Sequence, residues 1–83
     1  MDDVGQRVIS VVALAKKLSV TAVSLNSSLA ELGFDSLDTI NLMFDLESEF
    51  NISIPDEQAR SIRYVGEIAD GIRLLLSNSA AGV

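Results

Sequence analysis

Val4, Val8, Val11, Val12, Ala15 and Leu18 recur at helical spacing and predict a first amphipathic helix. Asp2 and Asp3 stand at its start and Lys16 and Lys17 near its end, the arrangement that the helix dipole favours. From Ser19 to Asn26, β-branched and small polar residues mix without a helical period, which predicts a long loop. Ser28-Leu29-Ala30-Glu31-Leu32-Gly33 then reads as one short turn, with a Ser-x-x-Glu cap and a closing glycine.

A second long helix is expected to begin at Asp35 or Ser36 and to run to about Phe50. Ile40, Met43, Leu46 and Phe50 define its buried stripe, with Leu42 flanking. Leu37 and Phe44 fall on another edge, beside Asp38, Asn41, Asp45 and Ser48. Ile54 before Pro55 is expected to be extended, and Pro55-Asp56-Glu57 to form the first turn of a short third helix. A last helix from about Val65 to Leu76 is carried by Ile68, Ile72 and Leu75 or Leu76. Gly66 and Gly71 weaken it by roughly 1 kcal/mol each relative to alanine, so it is expected to be the least protected part of the molecule. The pattern predicts an all-α fold: a small four-helix bundle with a long loop between helices one and two and a short third helix. Residues 1–76 form the domain and 77–83 a frayed tail.

Composition narrows the chemistry. The 83 residues include no cysteine and no histidine. Disulfides, thiolate zinc sites, Ser-His and Cys-His nucleophile pairs and histidine metal ligands are thereby excluded. Six basic against twelve acidic residues leave a net charge of −6. All six basic residues lie outside the interval between Lys17 and Arg60, which holds Glu31, Asp35, Asp38, Asp45, Glu47, Glu49, Asp56 and Glu57. Such a chain repels phosphate backbones and anionic lipid, and its complement is a basic patch on another protein. No apolar run approaches the roughly 20 residues of a membrane span. The start, Met1-Asp2-Asp3, lacks the basic region of a signal peptide. A cytoplasmic location is expected.

No GxGxxG, P-loop, Gly-x-Ser-x-Gly or EF-hand pattern can be drawn, and the exposed carboxylates lack the burial that a general acid needs. What remains is Leu32-Gly33-Phe34-Asp35-Ser36-Leu37-Asp38. It places a serine at the mouth of a helix, where unpaired N–H groups and the positive dipole end favour an anion. The simpler alternative is that Asp35 or Ser36 only caps the helix, a benefit of about 1 kcal/mol.

That stretch with Thr39, followed by Asp45-Leu46-Glu47-Ser48-Glu49-Phe50 and Ile54-Pro55-Asp56-Glu57, closely resembles the acyl carrier proteins. The resemblance covers roughly Ser28 to Ile72. It implies a carrier rather than an enzyme: Ser36 accepts phosphopantetheine from coenzyme A through a Mg²⁺-dependent phosphopantetheinyl transferase, and Asp35 helps place metal and phosphate in that reaction. No metal ion resident in the chain is implied. The arm's thiol then holds acyl intermediates as thioesters for fatty acid, specialised lipid or polyketide synthesis.

By the same resemblance, Leu37, Asp38, Phe44, Asp45 and Glu47 meet synthase, reductase or transferase enzymes through basic docking patches. Leu46, Ile54, Ala59, Ile62, Ile68 and Ile72 match an apolar lining for the acyl chain. A free-standing monomer is expected, without nucleic-acid partners. Asn41 and Ser48 thin the acidic face, Arg60 and Arg63 add positive charge, and Tyr64 stands where a Ser or Thr cap is common, which points equally to a specialised carrier. The reading of a different class is an unmodified acidic four-helix module that binds a partner directly.

Overall fold

The computed structural model describes residues 3–81, with side-chain surroundings through residue 77. Four α-helices occur among them: α1 (Asp3–Ala15), α2 (Ser36–Phe50), α3 (Asp56–Ser61) and α4 (Val65–Ala81). The fold is the expected small helical bundle, with the long loop between α1 and α2 and a short α3. A single 3₁₀ turn, Val20–Ala22, interrupts that loop, with the Ser19 hydroxyl accepting from the Thr21 N–H. No helix among the described residues is long and apolar enough to cross a membrane.

α1 packs on α4 and α2 around one core of Val8, Ile9, Val12, Leu42, Met43, Leu46, Phe50, Val65, Ile68, Ala69 and Ile72. Val23, Leu29, Phe34 and Ile54 are sent into this core from the connecting segments. They pin loops that the helices alone would leave loose.

Three expectations are corrected. α1 stops at Ala15, so Leu18 lies outside it, and both residues are exposed while Ile9 and Ala13 are buried. Lys17 takes a left-handed conformation (φ 57°), and the Leu18 and Lys17 N–H groups bond to the Ala13 and Leu14 carbonyls at 2.8 and 3.2 Å. That pair of bonds closes the last turn in the Schellman manner without glycine. In α2, Ile40 is half-exposed and Leu42 is fully buried, because α1 covers the face one position round from the expected stripe. α4 continues past Leu76 to Ala81, since no Gly or Pro interrupts residues 72–81. Asp2 and the last two residues of the expected tail lie outside the described residues.

The glycines of α4 also have a different meaning in the structure. The Gly66 N–H bonds to the Leu25 carbonyl at 2.7 Å, beside Val65 N–H to Ser27 O at 3.0 Å and Leu29 N–H to Arg63 O at 2.9 Å. A Cβ on Gly66 would lie 2.9 Å from that Leu25 oxygen. Glycine is needed here for the close approach of two backbones. Tyr64 gives no side-chain cap, and the Glu67 carboxylate replaces one: its Oε1 accepts from the Arg63 and Tyr64 N–H groups at 2.7 and 2.9 Å. Those two bonds hold the Glu67 carboxyl below its ordinary pKa.

Candidate functional site

The turn before α2 fixes where the helix starts. The Ser28 hydroxyl accepts from the Glu31 N–H and the Glu31 carboxylate accepts from the Ser28 N–H, the reciprocal bonds of a capping box. Gly33 then turns the chain at φ +91°, a left-handed conformation that a Cβ disfavours. Phe34, buried, anchors the exit through its N–H to the Leu29 carbonyl at 2.9 Å. Asp35 follows in an extended conformation as the N-cap, and Ser36 is the first residue of α2.

A second capping box orders that N-terminus. Asp35 Oδ1 accepts from the Asp38 N–H at 2.8 Å, and Asp38 Oδ2 accepts from the Asp35 N–H at 3.3 Å. The Thr39 hydroxyl and N–H both donate to the Asp35 carbonyl. Among the described residues, these bonds leave the N–H groups of Ser36 and Leu37 as the orphan donors of the first turn. Ser36 itself is exposed, and its hydroxyl makes no hydrogen bond among the described residues. The serine therefore presents a free hydroxyl next to two free donors and the positive end of α2.

A cation from α1 and one from the turn that follows it reach the two ends of α2. Lys16 Nζ lies 2.7 Å from Asp38 Oδ2 and 5.1 Å from the centre of the Phe34 ring. The Lys16 ammonium, with help from the Asp35 N–H, holds the Asp38 carboxyl below its ordinary pKa. Arg7 meets the Glu49 carboxylate at 3.1 Å, donates to the Glu49 carbonyl at 2.9 Å, and lies 4.2 Å from the Phe50 ring centre. Glu47 turns inward, where its Oε2 accepts from the Ile54 N–H at 2.7 Å and ties α2 to the segment before α3.

Beside Ser36 lies a cleft of about 730 Å³ between α2 and α3. Phe34, Ile40, Met43, Phe44, Ile54 and Ala59 give it apolar walls. Asp35, Ser36, Thr39, Glu47, Asp56 and Arg60 supply its polar rim.

The structure separates the residues that the sequence grouped together. Of the expected docking set, Leu37, Phe44 and Asp45 are exposed, whereas Asp38 and Glu47 are engaged within the molecule. Of the expected apolar lining, only Ile54 and Ala59 reach the cleft. Leu46, Ile68 and Ile72 are sealed in the core, and Ile62 packs against its edge. Phe34, Thr39, Ile40, Met43 and Arg60 line the cleft without having been singled out for it. For Phe34 and Thr39 the signal was there, since Phe34 adjoins the Asp-Ser pair and Thr39 lies one helical turn after it.

Comparison with known proteins gives a consistent answer. Residues 6–72 match the family described as the phosphopantetheine attachment site. An acyl carrier protein of Porphyromonas gingivalis is 42% identical over 73 residues, spanning 87% of this chain and 94% of that protein. One from Rickettsia bellii is 36% identical over 74 residues, spanning 88% and 86%. Among solved structures, the acyl carrier protein of Thermotoga maritima superposes with a TM-score of 0.75 at 29% identity, over 87% of this chain and 85% of that one.

Proposed function

The chain belongs to the acyl carrier protein family, and from that premise we propose that Ser36 is where its phosphopantetheine arm is attached. A carrier of this kind is not a catalyst; it offers a substrate to other enzymes. The observation that supports Ser36 is its free, exposed hydroxyl at the first position of α2, with unpaired N–H groups beside it.

The residues present fit the group. A phosphodiester on the Ser36 oxygen sits at a helix N-terminus, where the orphan donors and the dipole favour negative charge. Asp35, exposed next to it, is the residue that would help place Mg²⁺ and phosphate during modification. When bound, the arm supplies the thiol that this cysteine-free chain lacks. The cleft beside Ser36 gives an acyl chain an apolar resting surface on Ile40, Met43, Phe44 and Ile54. Leu46, Ile68 and Ile72 lie sealed in the core and Ile62 at its edge, so none of the four borders that surface.

The partners are a phosphopantetheinyl transferase and enzymes of fatty acid, specialised lipid or polyketide synthesis, met in the cytoplasm by a monomer through α2. The test is intact mass after incubation with coenzyme A, Mg²⁺ and a broad-specificity transferase, followed by the same reaction with an acyl-coenzyme A. We expect one phosphopantetheine of added mass in the first case. The second should add the acylated arm, and hydroxylamine should then remove the acyl group as it does a thioester. A folded chain that gains no mass with several transferases would overturn the proposal.

A further inference from the structure

The charge that α2 shows to a partner differs from the charge written in its sequence. It carries four carboxylates, Asp38, Asp45, Glu47 and Glu49. Lys16 is bonded to the first and Arg7 to the last, and Glu47 is turned inward onto the Ile54 N–H. Asp45 alone among them is exposed and has neither hydrogen bond nor ion pair among the described residues. Around it, Leu37, Ile40 and Phe44 are 65%, 50% and 61% exposed. Their spacing of three and four places them along one side of the helix. Arg60 on the opposite wall of the cleft adds a positive charge.

We infer that Lys16 is a built-in counter-ion that screens Asp38 from partners. The surface offered along α2 is thereby an apolar ridge of Leu37, Ile40 and Phe44 beside one carboxylate without hydrogen bond or ion pair among the described residues, Asp45. It fits a partner enzyme with an apolar depression and a single cation opposite Asp45, and it fits a broadly basic groove poorly. The inference rests on the carrier reading above. Both bonds that Asp38 makes fall on its Oδ2, so the carboxylate still accepts hydrogen bonds through Oδ1. What it loses is its net charge at the surface. Lys16 is held in place by more than the ion pair, since it also lies over the buried Phe34 ring.

The experiment measures phosphopantetheinylation kinetics with a transferase that has a basic docking face, at low salt. Lys16→Met should lower KM for the carrier about threefold with kcat unchanged, the effect of one unscreened charge about 6 Å from a partner cation in water. Lys16→Arg, which keeps the charge, should retain the wild-type KM. Lys17→Met, which removes the same charge from the neighbouring residue, should show no comparable drop. Asp38→Asn should raise KM, and adding Lys16→Met to it should bring KM back to about the wild-type value, because the ion pair and its doubly neutral replacement present the same net charge. A ¹³C titration of the Asp38 carboxyl should move back towards the ordinary range in Lys16→Met.

Equal KM changes in Lys16→Met and Lys17→Met, or a doubly neutral Lys16→Met, Asp38→Asn protein whose KM departs from wild type as far as Lys16→Met alone, would overturn the inference while leaving the carrier reading intact. A wild-type chain that is not modified at all would bring down both.

Discussion

Two glycines in one helix should respond to the same substitution with opposite signs. Gly66→Ala places a methyl 2.9 Å from the Leu25 carbonyl oxygen, a backbone atom that is itself bonded to the Gly66 N–H at 2.7 Å. Relief requires the two backbones to part by about half an ångström. Overpacking of this kind costs about 1–3 kcal/mol, and the weakened hydrogen bond about 1 kcal/mol more. The helical preference of alanine returns about 1 kcal/mol at most. The net is a destabilisation of about 1–3 kcal/mol, which for a domain of this size lowers Tm by at least roughly 5 °C. At Gly71 the added methyl meets only the end of the Gln58 side chain, which can swing away. Gly71→Ala should therefore raise Tm by a few degrees, with the gain of up to about 1 kcal/mol largely retained. Thermal melts followed by circular dichroism at neutral pH decide the matter. In Gly66→Ala the amides of Leu29 and Val65, which make the neighbouring backbone hydrogen bonds between the same two segments, should also exchange faster. A Gly66→Ala protein as stable as wild type or more so would refute the reasoning.

The other predictions rest on separate features. Glu67 and Asp38 have carboxyls held below their ordinary pKa, so the stability they contribute is present above the unfolded values of 4.5 and 3.8 and is lost as pH falls through the lower folded values. Melts between pH 2 and 7 should show that loss, and Glu67→Gln should flatten the profile; an unchanged profile would remove Glu67 as a cause. Ile40→Ala should cost well under the roughly 2–5 kcal/mol expected of Met43→Ala, because only Met43 is buried; denaturant melts giving equal costs would contradict the assignment of faces. Native-state hydrogen exchange should find α3 the least protected helix, since its six residues include none that is buried. Faster exchange in the Val65–Ile72 half of α4 would instead support the weakening expected from its glycines.

Local chemistry was legible in the sequence wherever it was self-contained. The Asp35-Ser36 start, the Ser28–Glu31 cap and the Gly33 turn depend on residues within a few positions of one another, and each stands where the sequence placed it. The faces of α2 were only half legible. Ile40 and Leu42 are both compatible with helical spacing, and the choice between them is made by α1, which the local pattern does not contain. The end of α1 was hidden because a lysine, not a glycine, takes the left-handed position.

Long-range electrostatics were invisible. Lys16 meets Asp38 across 22 positions and Arg7 meets Glu49 across 42, so an acidic interval without basic residues acquires two cations from elsewhere. Matching positions to a family's apolar lining likewise could not say which side chains border an open cleft. Leu46 and Ile72 are as apolar as Ile54, yet they are sealed beneath it.

The account turns on one oxygen atom. The most direct test treats Ser36→Ala and Ser28→Ala with coenzyme A, Mg²⁺ and a transferase and records intact mass beside the wild type. Ser28 also starts a turn, but its hydroxyl is already bonded to the Glu31 N–H. The account predicts one added phosphopantetheine on wild type and on Ser28→Ala, and none on Ser36→Ala. Modification of a folded Ser36→Ala protein would contradict it.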